Sequence, residues 1–453
     1  MTTLHFERAL IPEGWATNVR IRIDGGTIAS VERDAAREAG DERCGIGVPA
    51  IGNLHSHAFQ RAMAGLTEKR GEAADSFWTW RDTMYRFALA VTPDDVEAIA
   101  AQAYVEMLEA GYGAVAEFHY LHHDVSGAPY ANRAEMAERI GAAAAEAGLG
   151  LTLLPVFYAR SGFGGAPALV EQRRFVNDLD SYAALVADCR RALGSSARVG
   201  VAPHSLRAAT PNELAGVVAL ADDAPVHIHI AEQTGEVDAC VAWSGVRPVQ
   251  WLLDHAEVDA RWCLVHATHV DEREGLALAR SGAVAGLCPI TEANLGDGVF
   301  PARSFLDAAG RFGVGTDSNV EITVAGELRM LEYGQRLTIS ARNVCARRGG
   351  STGAALFAGA AAGGAQALAR PAGQLAPGAA ADIVSLNGDS PLVAGRADDE
   401  ILDAWIFGGS RDLVDGVWSS GRRVVSGGRH ARREAIAARF GEALRRLAAA
   451  TGA

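Results

Sequence analysis

The stretch "AIGNLHSHAFQ", residues 50–60, ends an apolar run on His55 and His57. Two residues apart, these side chains fall on one side of an extended strand. The pattern returns in "APVHIHI", which carries His227 and His229, with Glu232 three residues further on. Other apolar runs also end in polar residues able to do chemistry: "GAVAEF" before His119 and Tyr120, "ARVGVAP" before His204, "RWCLV" before His266, and "FGVGT" before Asp317. Imidazole nitrogens and carboxylate oxygens bind zinc at roughly 2.0–2.2 Å, and three protein imidazoles with one carboxylate leave room for a water. We assign His55, His57, His229 and Asp317 as the ligands. Taken singly, each has a plainer reading. His55 and His57 could be incidental, Asp317 could be a turn residue in "GTDSN", and His227 reads as a core or supporting histidine. His122, His123, His255 and His269 read as solvated loop residues. What favours the metal is that so many of these groups end apolar runs.

Those runs must be brought together by the fold. Counting "LGLTLLPVF" and "GAVAGLC", there are eight, and helical patterns lie between them. In "TPDDVEAIAAQAYVEMLEAG", Thr92 can cap, Pro93 suits the first helical position and Gly111 ends the pattern; Thr210 and Pro211 repeat the device. Eight strands alternating with helices predict an α/β fold, a (β/α)8 TIM-type barrel, which gathers strand C-termini on one face. Short β-like runs with Gly-Gly turns occupy both chain ends. They predict one small β-sandwich domain built from residues 1–48 and 372–430, around a barrel over 49–371, with a C-terminal helix over 431–453.

Composition narrows the partners. The 453-residue chain carries a formal charge of −13, which argues against nucleic acid or an anionic membrane, since both recruit basic surfaces. The six cysteines are scattered without a CxxC, as in a reducing compartment. "MTTLHFERALIPEGW" lacks the basic start and apolar core of a signal peptide, so a cytoplasmic location is expected. "GAALFAGAAAGGAQALA" reads as a packed helix, too short for a membrane span.

The paired histidines of strand 1, "HIHIAE", the histidine of strand 6, "GTDS" and the tail "GQLAPGAAADIVSLN" together resemble the amidohydrolase superfamily, and its deaminase branch in particular. The resemblance spans nearly the whole chain. "GNLHSHAFQRAMAGLTE", "FWTWRDTMY", "EFHYLHH" and "APHSLRA" are similar to members that hydrolyse a formimino group. A small departure, "ALARPAG" where relatives often have Gly after Leu, touches nothing catalytic.

The resemblance implies hydrolysis of N-formimino-L-glutamate to N-formyl-L-glutamate and ammonia, in histidine degradation. It implies substrate roles for Gln60, Arg81, Tyr120, His204 and Arg207. A small dicarboxylate substrate needs forked cations, which arginine supplies. The excursion carrying Arg81, Trp78, Trp80 and Tyr85 suits a lid. Both arginines could instead be surface ion pairs, and the tryptophans could be core packing. Binuclear relatives place a bridging lysine or glutamate on strand 4, whereas "VGVAPHS" has none, so one metal per subunit is expected. Zinc fits the ligand types, with Fe2+ as the alternative. Asp317 would accept a proton from water, His266 would aim the water, and Glu232 would carry a proton to the departing nitrogen. Relatives suggest a homodimer. Two other readings remain: a deaminase for a purine or pyrimidine ring such as guanine, and a non-catalytic scaffold that has lost its metal.

Overall fold

The computed structural model describes residues 2–70, 77–409 and 411–451. Its first four strands are β1 (Thr2–Ile11), β2 (Gly14–Asp24), β3 (Thr27–Glu32) and β4 (Glu42–Pro49). Then come β5 (Ile51–Ser56), β6 (Tyr112–His119) and β7 (Gly150–Phe157), followed by a small ribbon of β8 (Arg160–Gly162) and β9 (Ala166–Pro167). Strands β10 (Arg198–Val199), β11 (Ala202–Pro203), β12 (Val226–Ile230), β13 (Trp262–His266), β14 (Val284–Leu287) and β15 (Arg311–Val314) complete the middle. The chain returns to strands as β16 (Ile383–Leu386), β17 (Val414–Ser419), β18 (Arg422–Ser426) and β19 (Arg429–His430).

Both chain ends contribute to one sheet. It has eight strands in the order β19-β18-β17-β16-β4-β1-β2-β3, with β16 pairing antiparallel to β4. A small apolar core beneath it includes Leu4, Phe6, Ile21, Ile383 and Trp418. The large core spans the middle of the chain and also takes in Val48, Val384, Val417 and Val425 of the same sheet and Ile436 and Leu447 of the end helix.

The middle is α/β. Its long strands run parallel in two sheets, β10-β7-β6-β5 with β11 also on β7, and β12-β13-β14-β15. Parallel bridges join the sheets at both margins: Val201 with Val226, Ser205 with His229, and Ser56 with Asp317. Every residue of β6, β12 and β13 is buried, as expected for strands covered on both faces. The helices start where their caps predict. Thr92 caps Pro93–Glu109 with Asp95 in a capping box, and Thr210 caps Pro211–Ala219 with Glu213.

The Ala/Gly segment forms the helix Thr352–Ala367. Its glycines let two backbones meet. A Cβ on Gly363 would lie 1.8 Å from the Phe312 carbonyl oxygen, and one on Gly364 would lie 2.6 Å from that of Gly52. No described helix is long and apolar enough to cross a membrane. The C-terminal helix Arg433–Thr451 buries Ile436, Ala443 and Leu447 and pairs Arg433 with Glu109 and Arg446 with Asp95. All six cysteines are free and buried.

Two readings change. The run 197–203 divides into β10 and β11 at Gly200, where a Cβ would meet the Pro225 carbonyl oxygen at 2.5 Å. His122 and His123 are buried rather than solvated. Their Nε2 atoms lie 2.9 Å from the Val156 carbonyl and 2.8 Å from the Val176 carbonyl, because the loop after β6 tucks beneath the segment around Arg174.

Substituting Gly363→Ala should lower stability by about 2 kcal/mol or more, since a methyl has no room against backbone. Gly441→Ala, facing only the Arg445 side chain at 3.5 Å, should be neutral or stabilising by up to about 1 kcal/mol. Urea denaturation of the two variants checks the contrast.

Candidate active site

At the C-terminal ends of β5, β12 and β15 four acceptor atoms converge. His55 Nε2 lies 3.2 Å from His57 Nε2 and 3.1 Å from His229 Nε2. Asp317 Oδ1 lies 3.4 Å from His55 Nε2 and 3.3 Å from His57 Nε2. A tetrahedral zinc site with bonds near 2.0–2.1 Å has edges of about 3.3–3.4 Å, so these spacings are those of a ligand shell. Two of the three ring protons have acceptors. His57 Nδ1 donates to the Phe118 carbonyl at 2.9 Å and His229 Nδ1 to the His204 carbonyl at 3.1 Å. In these two rings Nε2 therefore turns a lone pair inward, while the buried His55 Nδ1 has no hydrogen-bond partner among the described residues. Burial pushes His55 down to about 3 and lowers His57 and His229, so all three rings stay neutral. Burial opposes the charge on Asp317, but the neighbouring imidazoles outweigh it and hold the carboxyl well below the usual range. Neutral imidazoles around a carboxylate make a donor set that a divalent cation fits.

The Asp317 corner is fixed by a buried network. Asn319 Nδ2 donates to Ser56 Oγ and to the His57 and Asp317 carbonyls, each at 3.1 Å. Thr316 Oγ1 donates to Asn319 Oδ1 at 2.6 Å and accepts from Asn53 Nδ2 at 2.7 Å. Asp317 and Asn319 have φ of 45° and 56°, a conformation the network must hold against its cost.

His266 stands beside the cluster, its Nε2 3.9 Å from Asp317 Oδ2 and 3.8 Å from Glu232 Oε1. A four-donor grouping of His55, His229, His266 and Asp317 also lies within 4.8 Å. Asp317 lies closer to His57 Nε2, at 3.3 Å, than to His266 Nε2, at 3.9 Å. Behind His266, Glu292 Oε1 lies 3.3 Å from Nδ1 and accepts from the Cys288 backbone at 2.9 Å. Burial would lower the His266 imidazole, but Glu232, Glu292 and Asp317 outweigh it and raise it to about 10. Burial also raises the Glu232 carboxyl above its ordinary range, although His266 and Arg207 pull the other way.

The remaining expected residues gather in the same pocket. Gln60 donates from Nε2 to Tyr120 Oη at 2.8 Å. His204 sits 4.8 Å, ring to ring, from His229. Arg207 extends a nitrogen to within 3.9 Å of Glu232 and 3.8 Å of Glu236. Arg81 lies 4.4 Å over the Trp78 ring and 5.4 Å over the Tyr85 ring. The Nε atoms of both arginines are buried without a hydrogen-bond partner among the described residues. That exposes the bland reading as incomplete: neither guanidinium is absorbed by a surface ion pair. Trp78 is exposed and Trp80 lines the pocket, so neither belongs to the core.

Alternation sorts the other histidines. His119 turns away from the pocket toward His122 while Tyr120 faces it. His227 donates from Nε2 to the Ala367 carbonyl, 2.8 Å away, and stays in the core. His255 is exposed and stacks on Trp251, and His269 reaches the Asp297 carbonyl. The residues missed from sequence are Asn319, Glu292 and Glu236. Glu236 accepts from the Ala231 and Glu232 backbone at 3.1 and 3.2 Å. The position of Glu292 just past the seventh run was an available signal. Asn319 offered none.

Removing the Asn319 amide should loosen the Asp317 corner. Asn319→Ala should weaken divalent-cation affinity by about 10- to 100-fold, measured by competition with a chromogenic chelator. Asp317→Ala should abolish stoichiometric binding in the same assay.

Comparisons with known proteins agree with this geometry. Residues 46–424 match the model of the amidohydrolase family, and residues 1–45 match that of the N-terminal domain of formimidoylglutamate deiminase HutF. The chain is 52% identical over 451 residues to formimidoylglutamate deiminase of Pseudomonas aeruginosa, covering 99% of this chain and 100% of that one. It is 30% identical to a 5-methylthioadenosine/S-adenosylhomocysteine deaminase of Natronomonas pharaonis, covering 86% and 85%. A crystal structure of an amidohydrolase from Brucella melitensis superimposes with a TM-score of 0.95 at 55% identity, covering 99% and 100%. An adenosine deaminase from Xanthomonas campestris with bound zinc has the same fold, with a TM-score of 0.83 at 20% identity over 99% and 98%. The cluster of inward-facing lone pairs, the strand ends that carry it and these likenesses lead to one conclusion: the chain belongs to the amidohydrolase family.

Proposed function

We propose that this chain is a formimidoylglutamate deiminase. It hydrolyses the formimino group of N-formimino-L-glutamate, giving N-formyl-L-glutamate and ammonia in histidine degradation. Identity to the Pseudomonas aeruginosa enzyme supports the reading. One observation carries it in physical terms: two arginines with unsatisfied, buried Nε atoms face the pocket that also contains the acceptor cluster. A substrate with two carboxylates would occupy those forks and present its third polar group to the cluster.

His55, His57, His229 and Asp317 would hold one divalent cation per subunit, zinc by the donor types and Fe2+ as the alternative. When bound, such a cation supplies Lewis acidity and makes hydroxide available near neutral pH. The chain's own residues handle the protons. Asp317 accepts a proton from the attacking water, and His266 orients that water. Water oxygen bonds to the formimino carbon as the terminal nitrogen takes up the proton that Asp317 received; the bond from that carbon to that nitrogen then breaks while the new hydroxyl gives up its proton and becomes the formyl oxygen. Glu232, its affinity for protons raised by burial, delivers a proton to the departing nitrogen. Arg81 and Arg207 bind carboxylate, with Gln60, Tyr120 and His204 completing the contacts.

We further propose that the parallel strands close as a (β/α)8 barrel. The bridges of Val201 with Val226 and of Ser56 with Asp317 support closure. The terminal strands would fold over as a β-sandwich, with boundaries at 1–48 and 372–430, the barrel at 49–371 and the end helix at 431–453. A homodimer and a cytoplasmic location complete the proposal; six free thiols support the latter. The ring-deaminase reading keeps one observation in its favour, the aromatic wall of Phe77, Trp80, Tyr85 and Phe175.

Glu232→Ala should retain bound metal and lose about 10^2- to 10^4-fold in kcat, read by ammonia release and metal analysis on the same sample. Near-normal turnover would remove Glu232 from the reaction. Arg207→Met should raise KM for formiminoglutamate by about tenfold or more, the loss of a charged hydrogen bond. Turnover of guanine in place of formiminoglutamate by the unaltered protein would decide for the alternative.

A further inference from the structure

The helix Phe77–Ala88 carries Arg81, Trp80, Met84 and Tyr85 into the pocket. Something must hold it at a fixed height over the acceptor cluster. Two buried polar side chains on the segment after β9 do so, and neither lines the acceptor cluster. Gln172 is 1% exposed. Its Nε2 donates to Tyr85 Oη at 3.0 Å and to Tyr158 Oη at 2.8 Å, and its Oε1 accepts from the Leu169 backbone at 2.8 Å. Both amide hydrogens and the oxygen are therefore committed. One of the hydroxyls belongs to the arginine-bearing helix, and the other stands just beyond the end of β7.

Arg174, two residues on, is 0% exposed. It donates to the carbonyls of Ala88 and Val91, to the His123 carbonyl at 2.8 Å and to Tyr130 Oη at 3.4 Å. No carboxylate is among these partners. Burying a guanidinium against neutral carbonyls costs free energy, and what it secures is geometric. The Ala88 carbonyl is at the C-terminal end of the helix, where its dipole attracts a cation, and the Val91 carbonyl lies in the link to the helix capped by Thr92. The helix is thus held at its Tyr85 face and at its end. Arg81 packs over the Tyr85 ring that Gln172 fixes.

We infer that Gln172 and Arg174 are positioning residues for substrate binding, acting through the placement of Arg81 and Tyr85. The inference rests on the proposed deiminase activity for its kinetic readout only. The metal cluster takes its supports from Phe118, His204 and Asn319, so these two residues should affect KM and leave the bond-breaking steps alone.

The test is a double-mutant cycle on the metal-loaded full chain. Gln172→Leu should raise KM for N-formimino-L-glutamate by about tenfold, with kcat within about twofold and metal content unchanged. In an Arg81→Met background the same change should add less than about twofold, because coupled sites are not additive. Arg174→Met should resemble Gln172→Leu, and Arg174→Lys should recover part of the loss. Hydrogen exchange of the helix Phe77–Ala88 gives a readout independent of substrate. Its amides should exchange about tenfold faster in Gln172→Leu and Arg174→Met, while those of β12 and β13 stay unchanged. Unaltered KM and exchange would overturn the inference, as would fully additive effects or a parallel loss of kcat and metal. If the unaltered protein does not turn over formiminoglutamate, the deiminase reading fails, and the exchange experiment alone decides the positioning role.

Discussion

Three imidazoles and one carboxylate meet in one place, with His55 Nε2 3.1–3.4 Å from His57, His229 and Asp317, and His57 3.3 Å from Asp317. Without a positive charge among them, such atoms gain nothing from being close and lose their water by being buried. The rest of the architecture makes sense as the means of enforcing that arrangement. Parallel strands place their C-terminal ends side by side, and alternation sends His55, His229 and the residues beyond β15 toward one point. Carbonyls of Phe118 and His204 take the Nδ1 protons, so the inward nitrogens stay free to bind a cation.

The cost of this arrangement is spread through the surroundings. Positive φ at His266, Asp317 and Asn319 is the kind of strain that persists only where other bonds over-determine the backbone. Here the Asn53, Thr316 and Asn319 network does so from below, while Glu292 holds the flank through His266. Glu236 plays a related part on the opposite side. It satisfies the backbone at Glu232 and lies 3.8 Å from Arg207, so these two pocket side chains share one support.

The pocket divides into two regions with different physics. At the floor, neutral rings and carboxylates control charge through burial. At the mouth, Arg81 and Arg207 keep donors free in a largely desolvated wall of aromatic rings. Arg207 has the Glu232 and Glu236 carboxylates 3.9 and 3.8 Å away, whereas Arg81 packs over the Trp78 and Tyr85 rings, so the place of Arg81 in the pocket depends on how firmly the helix Phe77–Ala88 is held.

The sequence by itself determined the α/β class, the capped helices at Thr92 and Thr210, the end helix and most of the polar residues that line the pocket, but not Phe77, Met84, Tyr158, Phe175 or Leu295. It could do so because strand ends, caps and ligand types leave local signatures. Its errors have a common cause. His122 and His123 looked solvated, since no local pattern tells which loop tucks under another. Asn319, Glu292, Gln172 and Arg174 matter through partners that lie up to 263 positions away or across separate loops. Only the tertiary structure decided these, since a hydrogen bond between distant segments depends on packing that no single segment encodes.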